Sequence, residues 1–159
     1  MRRRRFLVLA PGLAAALATA APQSPLPLVS NLQVDGQESR RRRVPIVVLF
    51  SLPGCPYCEI VRRSHLLPMQ RDPAQSARAI LRQVDIDSDQ PVVGFGGAPT
   101  THEAIARAHG VRAVPVVAFW DGEGRTLAEP LKGMLLADFY AAYLESALES
   151  ARARLAGRG

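Results

Sequence analysis

Apolar positions along the chain fall into short runs separated by turn residues, and their spacing predicts alternating strands and helices. Val44 to Phe50, VPIVVLF, is continuous and β-branched, the pattern of a strand buried on both faces, with Pro45 near its start where proline is tolerated. Ser51 to Gly54 reads as a turn. A helix is expected from the cysteines at 55 and 58 onward, with Ile60, Val61 and Leu67 toward the core and Pro68 kinking or ending it. Ala79 to Ile86 predicts a second strand, closed by the acidic turn Asp87-Ser88-Asp89, and Pro91 to Pro99 is expected as a loop. Thr100-Thr101-His102-Glu103 has the form of a capping box opening a helix over 101–109, which Gly110 ends. Val116 to Trp120 predicts a third strand, Asp121 to Gly124 a hairpin turn, and Arg125 to Glu129 the returning fourth strand. After Gly133, the segment 136–154 puts Phe139, Tyr143, Ala147 and, one step off, Tyr140, Leu144 and Leu148 on one broad helical face suited to covering a sheet.

Upstream the pattern weakens. Residues 28–43 show Asp35-Gly36 as a break, and 37–43 read as a short helix. Residues 21–43 are therefore expected as a Pro-containing linker and short N-terminal segment, ahead of one domain over 44–154. The order of elements implies an α/β fold with a mixed central sheet of four to five strands and helices on both faces.

The first twenty residues are set apart from the domain. Arg2 to Arg5 precede an apolar stretch from Phe6 to Ala18, and Ala18-Thr19-Ala20 fits a small-residue cleavage site. This is the arrangement of a signal peptide, by the general or the twin-arginine route, with an uncleaved anchor as the alternative. An exported, periplasmic protein is expected. The chain of 159 residues has a formal charge of +6, and four of its arginines lie in this leader, so the basic balance says little about partners. Arg40 to Arg43 form the one remaining basic run. With no interleaved aromatics it reads as a solvated helix end rather than a nucleic-acid surface.

Cys55 and Cys58 are the only cysteines, too few for a disulfide-stapled scaffold. A chain that is 48% hydrophobic can build its own core, which leaves the thiols free for chemistry. In CPYC, Cys55 would cap the helix, its sulfur receiving the N–H groups of Tyr57 and Cys58 and the positive end of the helix dipole. Both favour thiolate. Pro56 sits at the first helical position, where a missing N–H costs nothing. Cys58 lies one turn in, placed to attack a mixed disulfide formed at Cys55. Tyr57, inside the motif, is expected at the surface in contact with substrate. Val114-Pro115, at the start of the third strand, is a candidate cis bond whose backbone could pair with an extended peptide. Other readings of the two thiols stay open: a plain structural bridge across a very short loop, or a site for copper(I), which two soft thiolates suit. His65, His102 and His109 have spacings that match no standard zinc pattern, and no metal or cofactor is expected.

CPYC after a buried strand, then Gly110-Val111-Arg112-Ala113-Val114-Pro115-Val116-Val117-Ala118-Phe119, then Asp121-Gly122-Glu123-Gly124 and Gly133, resembles the thioredoxin superfamily over residues 44 to 150. The stretch from Asp85 to Glu103 is similar to exported bacterial thioredoxin-like proteins, including those that accompany sulfur oxidation. The resemblance implies a thioredoxin fold, catalytic Cys55 and Cys58, and a substrate groove at Pro56, Tyr57, Val114 and cis-Pro115. It departs from the family at Leu49, where a buried acid is usual, and at Gly54, where an aromatic is usual; Glu59 is expected to point away from the thiols. The chain lacks the large helical insertion typical of periplasmic oxidases and the dimerisation domain of isomerases. The expectation is a monomeric thiol-disulfide oxidoreductase that reduces protein disulfides and is re-reduced by a membrane electron donor. The alternatives are an oxidase of the same fold and a non-catalytic copper or thiol carrier.

Overall fold

The computed structural model describes residues 25–134 and 137–157. The expected leader lies outside the described residues. Four strands form the central sheet: β1 (Ile46–Ser51), β2 (Ile80–Asp85), β5 (Val116–Trp120) and β6 (Leu131–Lys132), in the order β2-β1-β5-β6. β1 runs parallel to β2 and antiparallel to β5, and β5 is antiparallel to β6. Every residue of β1 is buried, as the unbroken VPIVVLF run requires of a strand covered on both faces.

The alternation along β1 divides the interior in two. Val47 and Leu49 join Leu81, Val117 and Phe119 under α2 (Pro56–Val61), α3 (Leu67–Arg71) and the C-terminal helix α6 (Tyr140–Ala156). Ile46, Val48 and Phe50 join Val84, Ala118 and Trp120 under α1 (Leu32–Arg42) and α5 (His102–Ala108). The short helix α4 (Pro73–Ser76) connects α3 to β2. Each large apolar side chain fully buried in these layers stabilises by roughly 1.5–3 kcal/mol before conformational entropy is subtracted.

Several expectations give way to long-range contacts. The first helix is not confined to 37–43; it runs from Leu32 through the anticipated break. Asp35 is buried and forms a bidentate pair with Arg82 of β2, Nη2–Oδ1 at 2.6 Å and Nε–Oδ2 at 3.0 Å. Gly36 is where the helix meets the Asp121–Gly124 turn: a Cβ there would stand 2.3 Å from the Gly122 carbonyl oxygen. The segment before α1 is also tied in. Leu26 and Val29 are buried, and residues 27–29 lie along the outer edge of β2 with Gln83 N–H on Pro27 O (2.8 Å) and Val29 N–H on Gln83 O (2.9 Å).

Pro91 to Pro99 is not a plain loop. It forms a small hairpin of β3 (Pro91–Val93) and β4 (Pro99–Thr101), turned at Gly94–Gly97, with Gly97 at φ 83°. Helix α5 is capped one residue later than the box predicts: Thr101 Oγ1 accepts from Ala104 N–H, and Glu103 pairs with Arg107 instead of closing the box. The return strand is at Leu131–Lys132, not 125–129. After the Asp121–Gly124 turn, Leu127 N–H still bonds Phe119 O, but Pro130 has no N–H to continue the ladder. On α6, Tyr140, Leu144, Leu148 and Ala151 face the core, whereas Phe139 and Tyr143 are exposed. Pro68 neither ends nor sharply breaks its helix. A π-helical turn over Arg62–Leu66 precedes it and the chain continues as α3. The arginine run ends α1, where Arg40 donates to Gly122 O and Arg42 to Ser76 O and Ala77 O.

Candidate active site

The motif lies where β1 runs out. Leu52 to Gly54 turn the chain, with Gly54 at φ 74°, a conformation that a residue with a Cβ resists. The next helix begins at Pro56 with Cys55 as its cap, and the two cysteines are joined as a disulfide with Cα atoms 5.3 Å apart. Their environments differ. Cys55 is half-exposed, and Cys58 is fully buried. The Cys58 N–H donates to Cys55 Sγ at 3.1 Å. Of the two backbone donors expected at this sulfur, Cys58 supplies this one; the Tyr57 N–H makes no such bond. Pro56 and Tyr57 are both exposed, Tyr57 at 60%.

The sheet register brings the second element to the same end. Phe50, at the close of β1, pairs with Val116, the first residue of β5, so Val114 and Pro115 lie just beyond the sheet at the end from which the motif leaves. The Val114–Pro115 bond is cis. Gly133 N–H donates to Pro115 O at 2.8 Å, which adds the segment after β6 to that rim. Val114 is half-buried and Pro115 buried.

A feature that the sequence reading missed lies on the other side of Cys55. In the parallel register Leu49 is beside Gln83 and Ser51 beside Asp85, on one face of the sheet. Leu49 is fully buried among apolar side chains, but its neighbours turn polar. Arg62, one turn beyond Cys58, donates from Nε to Gln83 Oε1 (2.8 Å) and from Nη2 to Ser51 Oγ (2.9 Å), and pairs through Nη1 with Glu59. Gln83 Nε2 then donates to Asp85 Oδ1 at 2.7 Å. Cys55, Glu59, Arg62, Gln83 and Asp85 line one open cavity of about 510 Å³. Glu59 therefore does not simply point away from the motif: it forms part of this wall, held by Arg62 and Arg63. Gln83 and Asp85, two residues apart and so on one face of β2 with the apolar Leu81, were the available signal, because buried polar groups require partners.

None of the three histidines lines the cavity beside Cys55. His102 is fully buried between Asp85 N–H, which donates to its Nδ1 (3.0 Å), and Val29 O, 2.9 Å from its Nε2. His109 stacks on Trp120 with ring centroids 4.1 Å apart, and His65 packs on Tyr140. Burial lowers the pKa of His65 and His109 alike. Trp120 is a packing residue, edge-on to Phe50 and Phe95.

A CxxC disulfide at a helix start, with one sulfur accessible and the other buried, on a mixed sheet flanked by helices, is the apparatus of a thiol-disulfide oxidoreductase. The sequence matches the thioredoxin-like domain family over residues 32–148, and the chain belongs to that family. Among solved structures it is similar to a DsbH oxidoreductase, at 18% identity over 86% of this chain and 95% of that one, with a TM-score of 0.53. It is also similar to thioredoxin NaTrxh from Nicotiana alata, at 16% identity over 81% and 99%, with a TM-score of 0.52. At such identities the likeness concerns the fold. No curated protein sequence matches the chain.

Proposed function

We propose that this protein is an exported thioredoxin-like reductase of protein disulfides, with Cys55 as attacking thiolate and Cys58 as resolving thiol. The observation that carries the reading is the asymmetry of the pair: Cys55 is reachable from solvent and receives a backbone N–H, while Cys58 is fully buried behind it. In the reduced protein that N–H favours the Cys55 thiolate, which attacks a substrate disulfide. One substrate sulfur leaves as thiolate and the other is held on Cys55. Cys58 then gives up its proton and bonds to Cys55, and the second substrate sulfur leaves with the electron pair. Pro56, Tyr57, Val114 and Pro115 form the groove in this proposal, with the Val114 backbone pairing to an extended substrate segment.

Support for reduction over oxidation comes from compactness. Between β2 and Val114 lie a six-residue hairpin sheet and the seven-residue helix α5, with no large helical insertion. The protein then works as a monomer in the periplasm, and a membrane electron donor returns it to the dithiol state. Insulin reduction tests the activity: wild type is expected to turn over, and Cys55→Ser and Cys58→Ser to be inactive. Absence of turnover by wild type would favour a carrier. A strongly oxidising potential in glutathione equilibration would favour an oxidase. Mixed disulfides trapped on Cys58→Ala would identify the substrates.

A further inference from the structure

The resolving step has a proton problem. Cys58 is fully buried and must lose its S–H proton before its sulfur can attack Cys55. A cavity lined by Cys55, Glu59, Arg62, Gln83 and Asp85 opens beside the outer sulfur and carries two acids. It is wide enough for several waters, each taking about 30 Å³. We propose that Asp85 is the terminal acceptor of the Cys58 proton, reached through water in this cavity, and that Gln83 is the residue that positions it. The proposal rests on the reductase reading above.

The two carboxylates in the wall are not equivalent. Glu59 has one oxygen on Arg62 and the other on Arg63, so its charge is already matched. Asp85 receives a neutral carboxamide donor, Gln83 Nε2, on Oδ1, and no arginine contacts it among the described residues. Gln83 is itself held by Arg62, whose guanidinium is also fixed on Ser51 and Glu59. The relay Arg62–Gln83–Asp85 thus sets the orientation of Asp85 without neutralising it. The groups that face Asp85 are Glu59 and Arg62 from the motif helix and its π turn, Cys55, and His102 from α5, whose Nδ1 holds the Asp85 backbone N–H; Cys58 lies behind Cys55, off the cavity wall, and Asp87 follows on the exposed turn.

The step balances without a co-reactant. The Cys58 proton passes along water to Asp85, the Cys58–Cys55 bond forms, and the Cys55–substrate bond breaks. The electron pair leaves with the substrate sulfur, and that thiolate takes up a proton from Asp85 or solvent. In the reverse direction Asp85 returns the proton to Cys58 as the protein becomes reduced.

Stopped-flow reaction of the reduced protein with dithiobis-nitrobenzoate separates the two thiols. The first thionitrobenzoate is released when Cys55 attacks, the second when Cys58 resolves the adduct. In Asp85→Asn the first phase should match wild type. The second should slow by about a hundredfold at pH 6–7, the lower end of general-base effects, and should rise with pH to meet wild type near pH 9–10. Asp85→Glu should retain most of the rate, and Gln83→Leu should show a weaker form of the same pH shift. A second phase in Asp85→Asn that superposes on wild type at every pH overturns the proposal, as does a pH shift seen in Glu59→Gln and not in Asp85→Asn. A uniform slowing with no change of pH profile in a folded Asp85→Asn also overturns it, since that marks a structural role. Loss of the first phase in wild type would instead overturn the assignment of Cys55.

Discussion

His102 ties three parts of the protein together, and its replacement gives a measurable loss. The ring accepts the Asp85 N–H on Nδ1 and donates from Nε2 to Val29 O, at 3.0 and 2.9 Å, and is fully buried. It thus joins the start of α5 to the end of β2 and to the segment that covers the edge of β2. His102→Ala leaves one N–H and one C=O without partners in the interior, at about 1–3 kcal/mol each. The missing ring also leaves a cavity, so the total should be about 3–5 kcal/mol. That is a large share of the roughly 5–15 kcal/mol by which a domain is stable. With a urea slope of about 1–3 kcal/mol/M, the unfolding midpoint should fall by about 2 M. Hydrogen exchange should locate the effect, because the Val29 amide, bonded to Gln83 O, loses its tether on the neighbouring carbonyl. A loss below about 1 kcal/mol with unchanged Val29 protection would refute the reasoning, since it would mean that the two buried groups find other partners at little cost.

Three further outcomes follow from the packing. The Tyr140 hydroxyl is buried with no hydrogen-bond partner, and burial pushes its pKa from 10.0 up to about 12. The folded protein keeps a proton that the unfolded chain releases above pH 10, so wild type should lose about 2–3 kcal/mol between pH 10 and 12. Tyr140→Phe should abolish that part of the alkaline loss and gain about 1 kcal/mol at neutral pH, read by denaturant melts across pH. Gly36→Ala puts a Cβ against the Gly122 carbonyl and should destabilise by about 1–3 kcal/mol; an unchanged melting temperature would count against the close approach of α1 to that turn. His65 and His109 have pKa values below the usual 6.5 because of burial, so the unfolded chain binds more protons as pH falls. Stability should therefore drop as pH passes below about 6.5 toward the lowered values, and the double variant His65→Phe/His109→Phe should flatten that slope between pH 7 and 5.

What could be read from the sequence was local. β1 and β5 declare themselves by continuous apolar runs, and the motif helix by a cap and a proline at its first position, signals carried within a few residues. The elements that escaped depend on partners far along the chain. Asp35-Gly36 reads as a break until Arg82 neutralises the buried carboxylate and the Gly122 carbonyl presses on the glycine. Phe139 and Tyr143 share an apolar stripe with Tyr140 and Leu144, and the sequence pattern does not show how much of that stripe the sheet can cover. The polar wall beside Cys55 is the instructive case. Glu59 and Arg62 are spaced as a helical pair, but nothing local says that Arg62 spans to a strand 21 residues away. Gln83 could have said so. A carboxamide in a buried strand cannot remain unpaired, Leu49 beside it offers no hydrogen bond, and the helix that crosses this face carries an arginine one turn after Cys58. Polar residues at alternate positions of a buried strand mark where a core stops being inert, and in this chain that place adjoins the sulfur proposed to react.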